Sequence, residues 1–148
     1  MAGTVASLPI LRHRGRGIVR LGATITVTAG GVADAAKMGS AFGRIVGVVY
    51  KPGTLDTGAD IIIKDALSGA ALITLTNAGT SNRFFRPTAV ITTNAGVAVT
   101  AATTATLVDR DIYVAGAITV EVAQGGNATS GSIYVIVDEG GDGDGVDG

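Results

Sequence analysis

Apolar and polar residues alternate with a period of two along much of this chain. From Ile18 onward, Ala23, Ile25 and Val27 fall on one side and Thr24, Thr26 and Thr28 on the other, so one face can pack while the other stays wet, as in a half-buried strand. Residues 44–50 (Arg-Ile-Val-Gly-Val-Val-Tyr) are β-branched and aromatic and stop at Lys51-Pro52-Gly53, a Pro-Gly pair suited to a type II turn. Ile61-Ile62-Ile63 and residues 70–76 flank a short Ser-Gly-containing turn and predict a hairpin. Residues 89–93 and 97–100, on either side of Asn94-Ala95-Gly96, predict a second. The clearest alternation comes last, in residues 117–122 and 132–137 around a polar loop at 124–131, and predicts a third hairpin. Residues 32–38 (Val-Ala-Asp-Ala-Ala-Lys-Met) are the one stretch with respectable helix propensity, enough for at most two turns.

Seven to nine short strands with turn signals about every 8–12 residues are the signature of a sandwich or barrel rather than of βαβ units. The expected class is all-β: a single-domain β-sandwich over residues 18–138, with jelly-roll or barrel-like closure as the alternative. Residues 1–17, glycine-broken and rich in arginine, read as an extended basic N-terminal arm, dispensable for folding if it serves only in docking. Residues 139–148 are acidic and glycine-rich with almost nothing apolar to bury, so ordering them costs entropy without return and a flexible tail is expected.

Composition supports the same class. The 47% of hydrophobic residues are mostly Ala, Val and Ile, punctuated by 23 glycines, whereas there are only two Glu and three Lys; this palette suits pleated surfaces and tight turns. At 148 residues the chain has the length of one domain. A formal charge of −1 with 16% charged residues provides no global field to steer nucleic acid or a membrane surface, so partners are selected by shape and local contacts. The absence of Cys removes disulfides, thiolate nucleophiles and zinc-thiolate sites together. Residues 1–10 have no basic segment followed by a long apolar run, and no stretch approaches the ~20 residues that span a bilayer. Synthesis in the cytosol without an anchor or a cleaved signal is the expectation.

Candidate chemistry is sparse. The one histidine, His13, lies among arginines, where neighbouring cations disfavour a catalytic base. Asp56, Asp60 and Asp65, and Asp109 with Asp111, are the carboxylates placed closely enough for acid-base work, but each set lies in or beside turns, where Asp caps backbone amides. Asp142, Asp144 and Asp147 resemble the start of a calcium loop, yet Val146 stands where a third oxygen ligand is needed. Residues 15–20 (Gly-Arg-Gly-Ile-Val-Arg) match only the opening of a dinucleotide fingerprint, without the final Gly or a preceding strand. Asn127-Ala128-Thr129 fits the glycosylation pattern and, without a secretion signal, carries no weight. No catalytic, cofactor or metal residue is assigned, and the expectation is a chain that is not an enzyme.

Protein-interface candidates remain. Arg12, Arg14, Arg16 and Arg20 lack interleaved aromatics for base stacking, which favours an acidic protein surface over nucleic acid. Arg83, Phe84, Phe85 and Arg86 gather two of three phenylalanines between guanidiniums, and these residue types are enriched at binding hot spots. The bland reading, one Phe in the core and wet arginines, carries equal weight.

Residues 43–72 (GRIVGVVYKPGTLDTGADIIIKDALSGAAL), Arg86-Pro87, and residues 114–140 (VAGAITVEVAQGGNATSGSIYVIVDEG) resemble small structural proteins encoded beside the capsid genes of tailed bacteriophages, over roughly two thirds of the chain. The resemblance implies a capsid decoration, or cement, protein: a β-rich oligomer, commonly a trimer, bound to the major capsid protein on the virion surface, with no catalytic residues or cofactor. A phage tail or neck component is the first alternative. A carbohydrate-binding or adhesin module comes next, poorly supplied with aromatic platforms by Tyr50, Tyr113 and Tyr134 and no Trp.

Overall fold

The computed structural model of the chain describes residues 3–13, 17–90 and 109–140. It is all-β. Nine strands form one antiparallel sheet that is not closed, and no helix occurs among the described residues. The strands are β1 (Thr4–Ser7), β2 (Leu11–His13), β3 (Ile18–Val27), β4 (Ala33–Lys51), β5 (Asp60–Asp65), β6 (Ala71–Leu75), β7 (Arg83–Phe85), β10 (Tyr113–Ala123) and β11 (Thr129–Asp138); β8 (Thr88–Val90) and β9 (Asp109–Asp111) form a separate pair. The order is β1-β3-β11-β4-β10-β5-β6, with β2 on β3 and β7 on β4.

The 19-residue β4 joins the two leaves of the sandwich. Its first half pairs with β10, from Ala33↔Val122 to Arg44↔Tyr113, and its second half pairs with β11, from Arg44↔Asp138 to Lys51↔Ser132. Three register shifts interrupt these ladders, one of them skipping Met38 and another Val46; such bulges bend and twist a strand. Gly43 marks a close crossing, where a Cβ would collide with the carbonyl oxygen of Asp138. The two leaves meet side chain to side chain: Leu21 of β3 packs over Gly39 of β4, and Val27, Val122 and Leu55 converge on Gly125. The core is aliphatic apart from Tyr50, which is fully buried together with Ile25, Met38, Ile63, Ile118 and Ile133.

Three sequence expectations are corrected. Residues 32–38 are not helical: Ala33 to Met38 form the start of β4. Helix propensity is a local quantity, and a helix here would leave Thr119, Val120 and Val122 of β10 without their β4 partners and expose Ala33 and Met38, both fully buried in the strand. Residues 117–122 and 132–137 form the strands predicted for them but not a hairpin, since β4 lies between β10 and β11. The turn at Pro52-Gly53 is not type II: the N–H of Leu55 donates to the carbonyl of Pro52 at 2.9 Å, which places Gly53, with φ of 57°, at the second turn position as in a type II′ turn.

The β5–β6 hairpin forms as expected. Its turn is closed by the Asp65 carboxylate, which accepts from the N–H of Ser68 at 2.9 Å and from its hydroxyl at 2.6 Å. The hairpin expected over residues 89–100 lies mostly outside the described residues; its described part, Ala89 and Val90, pairs with Arg110 and Asp109.

The described part of the basic N-terminal segment lies along β3: Val5 faces Ile25 in β1, and Leu11 faces Arg20 in β2. Val5 packs against the core, and the N–H of Gly3 donates to the carbonyl of Val32 at 2.7 Å. A chain lacking residues 1–16 is therefore expected to lose about 2–4 kcal/mol of stability, from several cross-strand pairs of ~0.2–1 kcal/mol each, measured by urea unfolding. Gly43→Ala, which forces a Cβ against the backbone of β11, is expected to cost about 2 kcal/mol or more in the same assay.

Candidate functional site

Period-two geometry sorts the candidate interface residues onto two sides of one leaf, because directly paired residues share a face. On β3, Val19, Leu21, Ala23 and Ile25 are buried, so Ile18, Arg20, Gly22 and Thr24 form the outer row. Arg20 stands opposite Ile136 of β11, and Ile136 opposite Gly47 of β4. Gly47 is the seat of Phe84 from β7: a Cβ at Gly47 would lie 2.7 Å from Phe84 Cζ. Arg20 and Phe84 therefore lie on one outer face, three strand spacings or ~14 Å apart.

That face carries a continuous apolar band. Tyr134 covers Gly22 in the same way that Phe84 covers Gly47, and the Arg20 guanidinium stacks 5.0 Å from the Tyr134 ring centroid, a cation–π contact that holds the cation against the sheet. Val49 and Ile136 are half-buried between the two rings, whereas Phe84 is 63% exposed and Leu11, opposite Arg20, is 55% exposed. Glycine beneath an aromatic ring gives the ring a flat seat on the backbone, a pairing that compensates the weak strand propensity of glycine.

The remaining candidates separate from this row. Arg83 and Phe85 pair with Tyr50 and Val48, both buried, so they sit on the inner side of β7; Phe85 packs against the core while Arg83 stays exposed. Arg86 lines a cleft of ≈ 290 Å³ with Arg44, Ile45, Val46, Pro87 and Asp111. Arg12, at the sheet edge, forms a salt bridge to Glu139 at 2.8 Å, and the other oxygen of Glu139 accepts the N–H of Phe42 at 3.0 Å. Arg14 and Arg16 lie outside the described residues.

Of the carboxylates considered for chemistry, Asp60 and Asp65 hold backbone amides and Asp111 pairs with arginine. Asp60 accepts from the N–H of Asn77 at 2.8 Å and from Gln124 at 3.1 Å. Ser68 pulls the Asp65 carboxyl below its ordinary pKa by hydrogen bonding to its charged form. Asp111, through a 3.2 Å contact, and then Asp138 raise the Arg44 pKa. His13 is exposed on β2. Among the described residues no group of three His, Asp or Glu side chains is placed to hold a metal, and Asp142, Asp144 and Asp147 lie outside them. No described helix is long and apolar enough to cross a membrane.

Sequence reasoning missed a second exposed patch. Phe42 is 65% and Tyr113 68% exposed. Phe42 pairs with Ala115, and Arg44 with Tyr113, which makes the two rings diagonal neighbours on the outside of the other leaf. Strict alternation back from the buried Tyr50 and Val48 would have turned Phe42 inward; the bulge that skips Val46 turns it outward, and no sequence signal marks that bulge. No family model, no curated protein and no solved structure matches the chain.

Burial raises the Tyr50 pKa above its ordinary value, with Arg83 opposing weakly. The folded state then holds this proton more tightly than the unfolded chain, so the stability it contributes is complete below pH ~10 and is lost as pH rises through the folded pKa. Unfolding free energy is expected to fall above pH ~10 in the native chain, and Tyr50→Phe is expected to flatten that slope; urea titrations between neutral and alkaline pH measure both.

Proposed function

We propose that this chain is a non-enzymatic structural protein of a virus particle, of the capsid decoration type, that binds the major capsid protein and copies of itself in a homo-oligomer, with a trimer as the expected form. The observation that carries the reading is Phe84, 63% exposed and seated on Gly47 in the same outer row as Arg20. An exposed aromatic fixed on a rigid sheet beside an arginine offers anchor residues whose ordering is already complete before binding. On a symmetric lattice each such contact repeats with every copy, so modest affinities accumulate. The resemblance of residues 43–72 and 114–140 to decoration proteins points the same way.

Separating the heads and tails of the particle that carries this gene, and quantifying the chain in each by mass spectrometry, tests the proposal. Near-stoichiometric recovery with heads is expected. The double variant Arg20→Ala with Phe84→Ala is expected to remain folded and to bind heads at least about tenfold more weakly, the loss of one hot-spot contact. Recovery with tails would instead make the chain a tail or neck component.

Absence from both would favour a second reading, a carbohydrate-binding or adhesin module. The adjacent exposed rings of Phe42 and Tyr113 supply an aromatic platform of the kind that reading needs.

A further inference from the structure

The nine-stranded sheet ends at β6, and on β4 the side that carries β10 along the first half carries only the three residues of β7 near its end. Among the described residues no further strand pairs at either edge, and the two border one cleft. Thr74 and Leu75 of β6, Thr76 and Ala78 beyond it, and Arg83 and Phe85 of β7 line a space of ≈ 240 Å³ together with Tyr50. The Tyr50 ring is fully buried and its hydroxyl donates to the carbonyl of Gly79 at 3.3 Å. Leu75 and Phe85 are half-buried beside the cleft, whose exposed lining, Thr74, Thr76 and Arg83, is mainly polar.

Two features distinguish this seam from the rest of the surface. The outer edge of β6 reads Ala-Leu-Ile-Thr-Leu, without the charges or proline that protect edge strands from pairing, whereas the edge of β3 is covered by β1 and β2. The cleft also contains one cation and no carboxylate: Arg83 makes no ion pair among the described residues.

We propose that the seam is a docking groove for an extended segment of a partner protein. The segment adds as a strand to the outer edge of β6, sets an aliphatic side chain against the half-buried Leu75 and Phe85, and places an aspartate or glutamate against Arg83. Backbone hydrogen bonds to an open edge supply affinity, and alternate side chains entering pockets supply selectivity. A carboxylate on a guanidinium forms a charge-assisted pair, stronger than a neutral hydrogen bond. A second copy of this chain presenting its own β6 does not satisfy the seam, because that strand has no acidic residue to meet Arg83. The inference rests on the geometry of the seam and is independent of which particle the chain belongs to.

The test uses the full chain and two blocked synthetic peptides, Thr-Val-Thr-Val-Asp-Val-Thr and its counterpart with Lys in place of Asp, with hydrogen exchange and amide chemical shifts as readouts. The acidic peptide is expected to bind saturably and to slow exchange of the β6 amides, and the lysine peptide to bind at least about tenfold more weakly. Arg83→Glu, at an exposed position and checked for an unchanged circular dichroism spectrum, is expected to reverse that preference. Equal affinity of the two peptides, an unchanged preference in Arg83→Glu, or no slowing in β6 would each overturn the proposal.

Discussion

The structure depends on β4 finding hydrogen-bond partners along its whole length. Backbone amides and carbonyls of a buried strand must be paired, and this strand of 19 residues meets the requirement by using β10 for its first half and β11 for its second. The short connection between β10 and β11 then carries the chain from one leaf of the sandwich to the other. Both leaves contribute their inner rows, Ile118, Val120 and Val122 from one and Ile133, Val135 and Val137 from the other, to one aliphatic core. The bulges and the close crossing at Gly43 allow a single strand to serve both leaves.

The same pairing organises the surface. Each strand that fills the core with alternate residues must present the others outward, which puts Arg20, Tyr134, Ile136, Gly47 and Phe84 on one face. Glycines at 22 and 47 let two aromatic rings lie flat, so this face is apolar without being deeply buried. On β7, three residues long, a rotation of one position separates two surfaces: Phe84 belongs to the outer face, and Arg83 with Phe85 to the seam beside β6. Among the described residues the sheet stops short of closure and leaves the outer edge of β6 without a neighbouring strand.

Fold class was legible because it depends on composition and on period two, both local properties. The outer and inner rows of β3, the β5–β6 hairpin, and the strands of residues 117–122 and 132–137 are visible as alternation. Part of the candidate site was legible as well, since the grouping of Arg83, Phe84, Phe85 and Arg86 follows from residue type alone. Its division between two surfaces was not, because the side of the sheet on which each residue stands follows from its pairing with β4.

The sequence by itself determined that this chain forms short strands with one wet and one dry face, and which residues stand on opposite faces of each strand. Only the tertiary structure decided which strands are neighbours, that Ala33 to Met38 extend β4 instead of forming a helix, that β4 separates two strands adjacent in sequence, and that Phe42 and Tyr113 stand diagonally across β4 and β10. Alternation is written residue by residue along the chain. Pairing is a competition among distant segments for the same backbone groups, and its outcome depends on which combination satisfies all of them around one core.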